Sequence, residues 1–211
     1  MKRLLLAAWL AWAGSCAAGS LQVSVTDKDG KPAADVVVLV DSFPRTAAVA
    51  APAPVLIAQE DLRFSPFLTV VPQGSTLRFI NRDSYDHHVR STPSGPLGAV
   101  APVQSFEMRL SAVQRKPAPV DLVVTAAGPI GLGCHIHGSM RGQIFVAATP
   151  WFGKTDAQGL LTIEGVPEGV TELRLWHSDQ LQDQLPLKLT VSAALQRVDA
   201  ALNFTPRRRR S

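Results

Sequence analysis

Residues 133–142 read Gly-Cys-His-Ile-His-Gly-Ser-Met-Arg-Gly, and within them Cys134, His137 and Met140 are spaced as C-x-x-H-x-x-M. Three soft or borderline donors thus fall within seven residues. A thiolate, an imidazole and a thioether together select copper over harder metals. A trigonal His2Cys site with a weak axial Met suits a copper that only transfers electrons. Such a site needs a second histidine from elsewhere in the chain.

The start of the chain decides how many cysteines matter. Lys2 and Arg3 precede an apolar stretch, Leu4 to Ala13, and then the small residues Gly14, Ser15, Cys16, Ala17, Ala18 and Gly19. A basic region, a short apolar run and a small-residue cleavage zone describe a secretory signal peptide over residues 1–18. Cleavage near Ala18 removes Cys16 and leaves Cys134 as the one functional thiol. The rival reading is a lipoprotein signal acylated at Cys16, although Ala13 stands where such signals usually carry Leu. The stretch is too short to span a bilayer, and no other segment is long and apolar enough. The expectation is an exported, periplasmic protein without a membrane span. One cysteine makes no internal disulfide, so the leftover thiol calls for an explanation. The plain alternative, a buried inert thiol, loses weight beside two histidines and a methionine.

The formal charge is +4 over 211 residues. Lys2 and Arg3 supply two of these charges and Arg207–Arg210 four, which leaves the body between them at −2. No basic face for nucleic acid is implied. The tail, residues 205–211, reads as a solvated end.

Alternation and turn chemistry indicate an all-β chain. Leu21–Thr26 alternates with period 2 before the turn Asp27-Lys28-Asp29-Gly30, and Asp35–Val40 is a valine-rich strand candidate. Thr46–Pro54 reads as an Ala/Pro linker. Further candidates are Phe67–Val71, Thr76–Ile80, Ser105–Leu110, Val120–Thr125, Gln143–Ala147, Leu160–Ile163, Thr171–Trp176 and Leu185–Val191. Amphipathic helices of any length are absent from the pattern. Short strands with frequent turns predict β-sandwiches.

Residues 79–89, Phe-Ile-Asn-Arg-Asp-Ser-Tyr-Asp-His-His-Val, hold the second histidine. A strand ends at Asn81, and His87-His88-Val89 opens the next. Taken with the 133–142 motif, and with Pro66, Val71 and Gly74 upstream, residues 56–148 resemble the cupredoxins, most closely the plastocyanin- and amicyanin-like blue copper proteins. The resemblance implies a Greek-key β-sandwich holding one type 1 copper ion. Its ligands would be His87, Cys134, His137 and Met140. It further implies that Asn81 bonds across to the ligand loop and pins it. Two residues depart from the pattern: Leu132 replaces an aromatic two before the Cys, and Asp86 replaces the Pro before the first His. The Asp86 carboxylate has two readings, raising the basicity of the His87 imidazole or facing water.

Alternate side chains of a strand share a face. His87 and Val89 therefore point inward together, while His88 and Arg90 face solvent. His88 then sits at the surface, at the border of an electron-entry patch if it has a role. His135 is expected to be exposed and His177 structural.

The flanks resemble a second module. Val23–Val38, Lys154–Gly159, Gly165–Gly169 and Leu173–Trp176 look like pieces of a carboxypeptidase regulatory-like, transthyretin-type β-sandwich. The expectation is that the cupredoxin segment, 56–148, is inserted in or adjoins this sandwich, split as 20–50 and 149–204. Presentation or docking is its expected role.

Counting argues against an enzyme. A dinuclear copper centre needs two cysteines, and a multicopper oxidase needs a His before the Cys and far more than the five histidines present. Catalytic metals also keep an open position. The expected function is a one-electron carrier between redox partner proteins. The alternatives are a copper-delivery protein of the cell envelope and a structural envelope module with a vestigial site.

Overall fold

A computed structural model describes residues 18–207. The leader-like segment with Cys16 and the tail residues Arg208–Arg210 lie outside the described residues. Sixteen strands follow one another. They are β1 (Ala18–Thr26), β2 (Val37–Ser42), β3 (Val55–Glu60), β4 (Arg63–Ser65), β5 (Leu68–Pro72), β6 (Thr76–Asn81), β7 (His87–Thr92) and β8 (Glu107–Leu110). After these come β9 (Val120–Val123), β10 (Gly128–Cys134), β11 (Arg141–Ala147), β12 (Trp151–Lys154), β13 (Leu160–Pro167), β14 (Gly169–Trp176), β15 (Leu187–Val191) and β16 (Leu195–Ala201). The only helical element among the described residues is a single 3₁₀ turn at Val113–Arg115. The protein is all-β, as its alternation and turns predict.

Four sheets form, in the orders β13-β1-β16, β5-β11-β10-β7-β8, β12-β2-β14-β15 and β4-β3-β6-β9. Strands between residues 55 and 147 pair only with one another, while β1 and β2 pair only with strands after residue 150. The first and last strands, β1 and β16, run parallel as neighbours.

Each pair of sheets encloses apolar side chains. Ile57, Leu77, Phe79, Val89, Ile130, Leu132 and Ile144 are buried together between the two middle-segment sheets, and Cys134 and Met140 belong to the same cluster. Leu21, Val23, Val25, Val38, Val40, Ile163 and Leu173 form the other main cluster. All six residues of β2 are buried. Its period of two explains why: Val38 and Val40 face the β1 side, while Val37 and Leu39 join Leu68, Phe145, Ala147 and Trp176 in a third cluster. A strand covered on both faces reads as the continuous run Val-Val-Leu-Val instead of alternating. Phe145 and Trp176 meet in that third cluster with ring centroids 4.9 Å apart.

Most expected strands form within a few residues of their anticipated bounds. Five strands come as additions: β3, β4, β10, β12 and β16. The addition that matters for the site is β10. Gly128, Gly131 and Gly133 make it look like a loop, since glycine has low strand propensity. Packing demands them instead. A Cβ at Gly131 would lie 2.6 Å from the Thr92 carbonyl oxygen and 2.8 Å from that of Pro93. Close backbone approach at the end of β7 is thus what Gly131 provides.

Candidate metal centre

Three side chains from two neighbouring antiparallel strands and the loop beyond them converge. His87 opens β7 and Cys134 closes β10, where the register pairs Cys134 with Val89. The chain then turns through His137 to Met140, a turn closed by the bond from the Met140 N–H to the His137 carbonyl (3.0 Å). Arg141 Nη1 donates to the Met140 carbonyl at 2.9 Å and opens β11.

The donor atoms form a small triangle. Cys134 Sγ lies 3.8 Å from His87 Nδ1 and 3.6 Å from His137 Nδ1, and the two Nδ1 atoms are 3.2 Å apart. Metal–sulfur and metal–nitrogen bonds near 2.3 and 2.0 Å, spread at about 120°, give S···N and N···N separations of about 3.7 and about 3.5 Å. The triangle therefore fits one ion at its centre. His87 and Cys134 are buried and His137 is half-buried. Met140 is buried in the apolar cluster that contains Cys134. Tyr85, exposed, meets the His137 ring edge-on with centroids 6.3 Å apart.

The surroundings prepare the donors. His87 Nε2 sits 2.9 Å from Asp83 Oδ2, so a proton on Nε2 leaves the Nδ1 lone pair aimed at the triangle. Burial pushes the His87 pKa below its ordinary value, against the opposing pull of Asp83, which keeps the imidazole neutral. The Cys134 sulfur accepts the backbone N–H of His88 at 3.5 Å.

Asp83 was not among the residues singled out from sequence. Its carboxylate also accepts the backbone N–H groups of Asp61 (2.7 Å) and Leu62 (3.1 Å), and its carbonyl accepts that of Val113 (2.9 Å). One signal could have found it: Asn81 Oδ1 accepts the Asp83 N–H at 2.8 Å in an Asx turn, which aims Asp83 back toward His87 four residues on.

Asn81 differs from its expected role. Its amide donates to the carbonyls of Tyr85 (2.6 Å), Ser111 (3.0 Å) and Leu110 (3.4 Å). It therefore fastens the 82–86 loop to the end of β8, on the His87 side, instead of bonding across to the ligand loop. The Asp86 carboxylate follows the second of its two readings: it is exposed to water and does not reach the His87 imidazole. It accepts the Ala112 N–H at 2.8 Å and pairs with Arg115, away from the His87 ring.

The remaining histidines divide as the strand alternation anticipates. His135 is exposed. His88 faces outward with Glu107 Oε1 2.5 Å from its Nε2, and its side chain is 13% exposed, more covered than a plain surface residue. His177 is buried and accepts the Asp179 N–H on Nδ1 at 3.0 Å, a structural use.

Neither a family model nor a curated protein matches the chain. Among solved structures, a copper-containing nitrite reductase from Thermus scotoductus SA-01 is 23% identical over 49% of this chain and 25% of its own, with a TM-score of 0.38. The Cu(I) form of an amicyanin mutant is 21% identical over 52% of this chain and 97% of its own, TM-score 0.35. A purple cupredoxin from Nitrosopumilus maritimus is 20% identical over 44% and 99%, TM-score 0.36. These structural neighbours are cupredoxins or contain copper, at low identity and over about half of this chain. The chain spans a quarter of the nitrite reductase's length.

Proposed function

We propose that the chain is an exported type 1 copper protein that carries single electrons between redox partner proteins. The observation that carries this reading is the largely buried triangle of one thiolate and two imidazole donors, with Asp83 behind His87. His87, Cys134 and His137 would hold the ion in their plane, and Met140 would approach from the loop as the weak fourth ligand. A copper ion held there supplies one-electron chemistry. The residues supply the rest. Asp83 fixes the His87 tautomer, the His88 N–H stabilises charge on the sulfur, and β7 and β10 keep both donors in place whatever the charge of the site. Donors set in a packed core favour electron exchange over release of the ion, which weighs against copper delivery.

The same proposal assigns residues 56–148 to a cupredoxin unit inserted in a split outer β-sandwich, 20–50 and 149–204. The strand pairing described above supports it. The outer unit would present or dock the copper unit. The leader-like N-terminus supports export to the periplasm, and among the described residues no helix is long and apolar enough to cross a membrane.

Absorption spectroscopy tests the function. Cu(II)-loaded wild type should show an intense visible thiolate-to-copper band and cycle reversibly, and Cys134→Ser should lose the band. A copper-loaded wild type without colour would overturn the reading. For the insertion, deletion of residues 20–50 should destabilise the strands after residue 150; their independent unfolding in that deletion would contradict it.

A further inference from the structure

Strands β7 and β10 have two faces. His87 and Cys134 occupy the inner one. Their chain neighbours His88 and His135 occupy the outer one, drawn together by the bond from the His135 N–H to the His88 carbonyl at 2.8 Å. The outer rings have centroids 5.5 Å apart. The inner pair, His87 and His137, whose Nδ1 atoms converge, stands at 5.0 Å. The outer ring spacing is thus within half an ångström of the inner one. The donor atoms of His88, Glu107 and His135 do not all lie within 4.8 Å of one another, whereas those of the inner set do, so an ion there requires the exposed His135 ring to turn. A third donor is present from β8, since Glu107 Oε1 already touches His88 Nε2.

We propose that His88, Glu107 and His135 form a second, outward-facing site for a borderline divalent cation. Two imidazoles and a carboxylate suit Zn(II) and Cu(II), and the usual affinity order places Cu(II) first. With no sulfur in the set, the site disfavours Cu(I). The ion takes the place of the direct contact between His88 and Glu107. His135, exposed, turns a ring nitrogen toward it, and water completes the coordination on the open side. Glu107 is 64% exposed, so the cation enters directly from solvent. The outer site goes beyond the function proposed above and does not depend on it.

Titration of the protein with Cu(II), followed by electron paramagnetic resonance and visible absorption, tests the inference. Wild type should take up an equivalent that adds a resonance signal without a thiolate band. His135→Gln or Glu107→Gln should weaken that equivalent by at least about tenfold. His88→Gln with His135→Gln should abolish it. A Cys134→Ser background separates the two sites: there the outer equivalent should persist and should vanish when His135→Gln is added, whatever becomes of the inner site. Failure of wild type to bind this equivalent at tens of micromolar copper, or its survival in the double His variant, overturns the proposal.

Discussion

Asp83 Oδ2 lies 2.9 Å from His87 Nε2, and the same carboxylate holds the backbone at Asp61 and Leu62. Two oxygens thus serve three N–H groups. Asparagine would offer one oxygen and turn an NH2 against the remaining donors. Asp83→Asn should therefore weaken metal binding by about 10–100-fold, measured by competition with a chelator. An unchanged affinity would show that His87 is oriented by packing alone.

Burial lowers the His87 pKa from 6.5. In the metal-free protein the unfolded chain then binds this proton at higher pH than the folded one. The stability tied to neutral His87 is complete above pH 6.5 and is lost as pH falls through the lowered folded value. Urea denaturation of metal-free wild type from pH 7.5 to 5 should show this decline. His87→Gln should flatten it, and an equal decline in that variant would place the titrating group elsewhere.

Gly131 and Gly138 make opposite forecasts. A Cβ at Gly131 would press on backbone oxygens of Thr92 and Pro93, whereas at Gly138 it would meet nothing within 4 Å. Gly131→Ala should destabilise by about 1–3 kcal/mol and Gly138→Ala by no more than about 0.5 kcal/mol. Thermal melts of both variants check the contrast.

Trp176 packs against Phe145 where β14 meets β11. Truncation to Ala removes a buried indole and should cost about 3–5 kcal/mol. Because this cluster lies apart from the metal-site core, the visible spectrum of any copper-loaded folded fraction should not change. A shifted band would reveal coupling between the two cores.

The legible parts of the sequence are the ones whose chemistry is local. Cys134, His137 and Met140 announce themselves by spacing, and strand alternation separates His87 from His88 and Cys134 from His135. What stayed hidden depends on contacts between distant segments. Gly131 reads as loop until Thr92 and Pro93 stand against it. Asp83 reads as loop polarity until Asn81 turns it toward His87. The amide of Asn81 could have bonded to any nearby carbonyl, and only the fold brings Leu110 and Ser111 within reach. Strand β16, with its exposed alternate residues, has no marked apolar face, and its place beside β1 is set by pairing across nearly the whole chain.

That pairing has a consequence for the order of synthesis. When residue 147 has been made, every strand from β3 to β11 already has all its sheet partners, while β1 and β2 have none. The partners of those first two strands are the last to be translated. The segment bearing the metal site can therefore close on its own strands, as domains tend to do, while the earliest-made strands wait for the chain's end. The strands that build the metal site are thus complete before the outer strands can pair.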